Sequence, residues 1–228
     1  MFNRAIPVML LAIFGLTKSK QHKLMSRFGV CYLLMFVSGL AVVLWHATLS
    51  RSYQIIYELT VVWSTLTYLY SIMAMDAQAT GHAVLLGFHG VVTSVVYCFS
   101  SFKFFLFTRG CSLVLLVMWS GKVMRQIPKG DPVHPSCRSL YRCSSVVLLG
   151  SYALVLSEVA LCESYPSLFR AFPSHAVFNL LDGVGQYLWI CYATLAVYHW
   201  NHRQPKLQWG AGCLPYVIRD SHLRARGA

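Results

Sequence analysis

The chain has 228 residues, 57% of them hydrophobic and 11% charged, with 19 Lys and Arg against 7 Asp and Glu for a formal net charge of +12. Ordinary soluble domains carry about 25% charged residues, and a water-soluble fold of this length cannot bury so much apolar surface, which excludes the soluble globular and disordered classes. In so apolar a chain the basic excess reads as loops on the cytoplasmic side of a membrane, not as a nucleic-acid surface.

Apolar segments follow one another at 6–16, 28–49, 53–75, 82–100, 104–119, 144–162 and 174–200. A span takes about 20 residues. The predicted fold class is therefore all-α, a seven-transmembrane helix bundle over residues 1–200 followed by a basic cytoplasmic tail over 201–228. Arg4 ahead of the first segment gives it the flank of a signal peptide, but Thr17-Lys18-Ser19-Lys20 follows instead of a small-residue cleavage site. It is read as a first span entered from outside. With seven spans, 14 Lys and Arg fall on one side of the membrane and only Arg4, Arg51, Lys103, Arg109 and Arg170 on the other. The positive-inside rule then places the carboxyl terminus in the cytoplasm. The 130–135 stretch is a turn between spans five and six, and the tail, with Trp209 and Tyr216, is expected along an anionic membrane surface. Eight cysteines show no CxxC pair or regular spacing, which argues against a disulfide framework or a thiolate metal site.

The few acidic residues are informative, because a carboxylate at mid-bilayer costs about 2.5–3.5 kcal/mol and should face a cavity or a partner. Glu58 lies near the start of span three, Glu158 near the end of span six and Asp182 in span seven. His46, near the end of span two, and His175, at the start of span seven, fall on the same extracytoplasmic side as both glutamates. In span seven, His175, Asn179, Asp182 and Gln186 share one helical face. That stripe is either a hydrogen-bonded seam between helices or part of a buried metal or substrate site. His82 and His89 have no acidic partner nearby in sequence and are read as structural. No phosphate loop, Gly-x-Ser-x-Gly elbow or His-Glu-x-x-His helix is present.

These residues resemble the alkaline ceramidase family, seven-span zinc amidohydrolases. Span two ends Val42-Val-Leu-Trp-His46-Ala-Thr48-Leu49, similar to the family's Ser-x3-His-x-Thr-Leu. Span three begins Ile56-Tyr57-Glu58-Leu59 where the family has Leu-Asp-Glu. Glu158-x3-Cys162 is similar to Asp-x3-Cys, His175-x3-Asn179 to His-x3-His, and Leu214-Pro215-Tyr216-Val217 to the family tail.

The resemblance implies a zinc ion on three histidines, a bound water of lowered pKa, and attack on the ceramide amide to release sphingosine and a fatty acid. It places His46, His175 and Asn179 at the ligand positions, with Asn179 a poor substitute for histidine. Glu58, Glu158 and Tyr57 stand at or beside acid–base positions, and Val42 replaces the family serine. Cys162 has no amino-terminal disulfide partner, and the acidic segment of the family's calcium site has no counterpart, so calcium is not implied. Asp182 is seven residues from His175, about 10 Å along a helix, too far to share a metal.

The expected partners are ceramide or a related sphingolipid and membrane lipid, with no nucleic acid. The expected location is an integral position in the endoplasmic reticulum or Golgi. Three readings stay open: a ceramidase with a rearranged site around His46 and His175 that enlists Glu158 or Glu58; a relative that binds ceramide or a sphingoid base without cleaving it; and an unrelated seven-span receptor or transporter, which five ordered motifs weigh against. Ceramide hydrolysis is expected to be weak or absent, and zinc affinity lower than a three-histidine site gives.

Overall fold

Long apolar runs broken by short polar turns satisfy their backbone hydrogen bonds internally, as helices must in lipid. A computed structural model describes residues 5–75, 79–100, 102–162, 164, 174–203, 205–210 and 213–219, with the side chains of 79–80 and 174–176 outside the description. Its helices are α1 (Ile6–Gln21), α2 (Ser26–Thr48), α3 (Arg51–Met73), α4 (Ala79–Phe99), α5 (Phe102–Gln126), α6 (His134–Leu161) and α7 (Ser174–Trp200), followed by β1 (Pro205–Gly210) and β2 (Leu214–Arg219). Among the described residues, α2, α4, α5, α6 and α7 are long and apolar enough to cross a membrane. That supports an integral membrane protein. The other two expected spans are α1, with 16 residues, and α3, a 23-residue helix rich in Ser, Thr and Tyr.

Two helices run past the apolar segments that predict them. α5 continues to Gln126 and α6 starts at His134, because Lys122, Arg125, Arg138 and Arg142 are good helix formers that extend the turns beyond the apolar part. Pro135 sits in the first turn of α6, where its missing N–H costs nothing. The tight α2–α3 connection depends on Leu49, held in the left-handed region at φ 52°, while Ser50 N donates to Thr48 Oγ1 at 3.3 Å.

α7 is the hub. It packs on α1, α2, α3, α5, α6 and both strands, and its run from Tyr187 to Tyr198 is almost wholly buried. Tyr192 Oη donates to Ser120 O at 2.7 Å, and Trp189 Nε1 to Ser120 Oγ at 3.0 Å, which ties α7 to α5. Close approach requires small residues here: a Cβ on Gly183 would stand 2.5 Å from Val8 Cγ2, and one on Gly185 2.8 Å from Leu148 Cγ. α4 is peripheral and exposes Val84, Leu85, Phe88, Val91 and Val95, as a lipid-facing helix does.

The tail carries regular structure that the sequence reading did not assign. Over 205–219 it forms an antiparallel hairpin with Pro205 opposite Arg219 and Gly210 opposite Leu214. This hairpin folds back on α1 and α7. Tyr187 Oη donates to Pro215 O at 2.6 Å, and Tyr216 makes an edge contact with Phe14 and stacks on His22. Alternation is the physical reason. Pro205, Leu207, Pro215 and Val217 turn one face inward, while Lys206 and Gln208 point out.

Candidate functional site

His46, Tyr57, Glu58, Glu158 and Asn179 sit towards one end of the bundle, where α1, α3, α5 and α7 begin and α2 and α6 end. His46 is in the last turn of α2, fixed by the Thr48–Ser50 cap, and its ring stacks on Trp45 at 4.9 Å. Trp45 in turn stacks on Tyr57 of α3 at 6.2 Å. Tyr57 is buried and donates its hydroxyl to Asn179 Oδ1 of α7 at 3.0 Å. The structure therefore joins Tyr57 directly to Asn179 and places His46 one ring away. The side chain of His175 lies outside the described residues.

Glu58, adjacent to Tyr57, is 1% exposed and accepts a hydrogen bond from Gln54 Nε2 at 3.0 Å through Oε1, while its Oε2 is buried without a hydrogen-bond partner. Glu158 is half-buried in the last turn of α6. Among the described residues, no three His, Cys, Asp or Glu side chains converge closely enough to hold a metal ion.

Deeper along the same face of α7 the stripe becomes a continuous network. Arg109 Nη2 of α5 donates to Asp182 Oδ1. Gln186 Nε2 donates to the other carboxylate oxygen at 2.7 Å, and Gln186 Oε1 accepts from Tyr68 Oη of α3 at 2.8 Å. The Arg109 guanidinium also lies over the Phe178 ring at 5.1 Å. Both charged side chains are buried, at 4% and 6% exposure. The hydrogen-bonded-seam alternative thus describes Asn179, Asp182 and Gln186, each engaging a different neighbour on α3 or α5 or along α7 itself.

The seam separates two apolar clusters. One holds Val42, Tyr57, Val61, Phe105 and Phe178, and the other holds Tyr68, Leu113, Leu116 and the Tyr187–Tyr198 run. Arg109, counted in the sequence only among the basic residues of the extracytoplasmic side, lies two turns into α5 and is buried against Asp182. The only sequence signal was a buried-type carboxylate without a partner, which obliges some cation to meet it.

Two small cavities lie beside the seam among the described residues. A cavity of about 20 Å³ is lined by Ser38, Gly39, Val42, Tyr57, Asn179 and Asp182, and a second of about 10 Å³ lies beside Arg109, Tyr68 and Gln186. Each holds about one water at most. Val42, at 5% exposure, presents only methyl groups to the first.

Comparison with known proteins agrees with the ordered motifs. The chain is 23% identical over 218 residues to mouse alkaline ceramidase 3, covering 90% of this chain and 80% of that one. The Ceramidase family profile matches residues 4–218, from ahead of α1 through most of β2. With the motifs in order along that whole stretch, the chain belongs to the Ceramidase family.

Proposed function

We propose that this chain is a sphingolipid-handling membrane protein that retains recognition of ceramide or a sphingoid base and hydrolyses the ceramide amide weakly or not at all. The observation that carries the reading is the Tyr57–Asn179 hydrogen bond. At the third ligand position implied by the family resemblance, the donor atom is a neutral amide oxygen already engaged by a hydroxyl. Catalytic zinc sites keep three protein ligands and leave a fourth position for water. His46 and His175 supply two nitrogens in this reading, and Asp182 is committed to Arg109 and Gln186. These residues do not fit a three-ligand zinc centre.

Carbonyl polarisation suffers in the same way. Val42 stands where the family serine would offer a hydroxyl, and loss of one such donor typically costs about 100- to 1,000-fold in rate. Tyr57 replaces an aspartate and cannot serve as a carboxylate base. In this reading all seven helices span the membrane of the endoplasmic reticulum or Golgi, with the hairpin in the cytoplasm. A second reading, retained hydrolysis, draws on the unpartnered Glu58 Oε2, the one described carboxylate oxygen of α3 available for proton transfer.

The test is metal content of the detergent-purified chain, measured together with release of sphingoid base from labelled ceramide. The expected result is substoichiometric zinc and little release from the unmodified chain. Both should rise in the Asn179→His, Val42→Ser, Tyr57→Asp triple variant. Chelator-sensitive, robust cleavage by the unmodified chain would overturn the proposal in favour of the second reading.

A further inference from the structure

The α1–α2 hairpin carries a second feature unrelated to the polar seam. A groove of about 430 Å³ runs between the end of α1 and the start of α2, walled by Leu16, Leu24, Val30 and Leu33, with Lys20 and Lys23 at its mouth. Val30 and Leu33 are 45% and 50% exposed, and the apolar surface continues along α1 through Ile13 and Leu10. Water would penalise such a groove, whereas an acyl chain would fill it.

The groove is lined by two cations, Lys20 and Lys23. No acidic residue occurs before Glu58. The neighbouring cations are engaged elsewhere: Lys18 lies over the Tyr216 ring at 4.8 Å, and Arg27 over Phe28 at 5.4 Å. Among the described residues, Lys20 and Lys23 form no ion pair. Lys23 is also held in the left-handed region at φ 48°. That conformation favours glycine or asparagine over lysine. Ser19 and Ser26 add hydroxyls beside it.

We propose that this groove binds one anionic phospholipid of the surrounding membrane, its phosphate between Lys20 and Lys23 and one acyl chain against Leu16, Val30 and Leu33. Basic pockets between membrane helices recognise anionic headgroups in this way. The site depends on membrane insertion of α1 and α2 and not on the ceramide reading, so the two can fail separately.

The full chain in detergent, titrated with phosphatidylglycerol or phosphatidylcholine of identical acyl chains and read by native mass spectrometry, tests the proposal. One phosphatidylglycerol should be retained in preference to phosphatidylcholine. At about five-fold per lysine, Lys20→Gln with Lys23→Gln should lower that preference about 25-fold. Gly29→Leu keeps both lysines and fills the groove, since a Cβ there meets only Leu16 Cδ1 at 3.8 Å; it should also release the lipid. Lys23→Gly should lower retention about five-fold while raising the unfolding temperature, because the backbone strain is relieved. Equal retention of the two lipids overturns the proposal, as does unchanged preference in the double lysine variant with native circular dichroism. Displacement by millimolar inorganic phosphate would also overturn it, since that outcome describes a soluble-phosphate site.

Discussion

Removing one partner of the Arg109–Asp182 pair should damage the bundle far more than removing both. Arg109→Leu leaves a carboxylate at 6% exposure with Gln186 as its remaining donor among the described residues. Breaking a buried pair from one side costs about 3–5 kcal/mol, whereas replacing both members with apolar groups is often neutral. Asp182→Leu alone strands the guanidinium, with the Phe178 ring as partial compensation, and belongs in the same range. In the double variant Gln186 Nε2 loses its carboxylate partner, a cost of about 1–2 kcal/mol. For a chain of this size each kcal/mol moves the unfolding midpoint by about 2–4 °C. The single variants should therefore fall by about 6–20 °C and the double variant by less than about 8 °C. Thermal unfolding in one detergent, followed by far-ultraviolet circular dichroism, reads all four members of the cycle. Single variants within about 2 °C of the parent, or a double variant whose loss equals the sum of the singles, would refute the pairing argument.

Gly183→Ala places a methyl 2.5 Å from Val8 Cγ2 and should destabilise the α1–α7 contact by about 1–3 kcal/mol, measured in the same melts. Tyr57→Phe removes the donor to Asn179 Oδ1 and should cost about 1–2 kcal/mol; an unchanged midpoint would mean the amide finds another partner. His22, in the α1–α2 turn, has its pKa lowered from the ordinary 6.5, by burial first and by Lys18 second. A histidine whose folded pKa is depressed contributes stability above pH 6.5 and loses it as the pH falls through the lower folded value. The midpoint should therefore drop on acidification below about 6.5, and His22→Gln should flatten that drop.

Much of this was readable from sequence. Hydropathy located the helices, and the His175–Asn179–Asp182–Gln186 spacing put one polar face on α7. The partners of that face were not readable, because they come from other helices. Tyr57 is 122 residues from Asn179 and Arg109 is 73 from Asp182, and no local periodicity encodes which helix stands opposite. Arg109 carried no site role in the sequence, because a charge near the start of a span counts towards topology and only packing reveals its partner. The tail hairpin had a usable signal in its inward Leu207 and Val217 and in the Gly210-Ala211-Gly212 stretch between the strands. A basic tail after the last span draws attention to charge, which hid that pattern.

The burial of α7 also sets the order in which the molecule can be completed. Chains leave the ribosome amino terminus first, yet the helix that touches α1, α2, α3, α5 and α6 is the last helix of the bundle. Until it arrives, Asp182 is absent and Arg109 has no counter-charge, while Val8, Leu148 and Ser120 wait for the glycines and aromatic side chains that they will pack against. A nascent chain ending anywhere before Ser174 has helices but no keystone. Quality control in the membrane would meet a chain that ends between α5 and α7 with a buried-type arginine exposed, so premature stops late in the coding sequence should be as damaging as early ones.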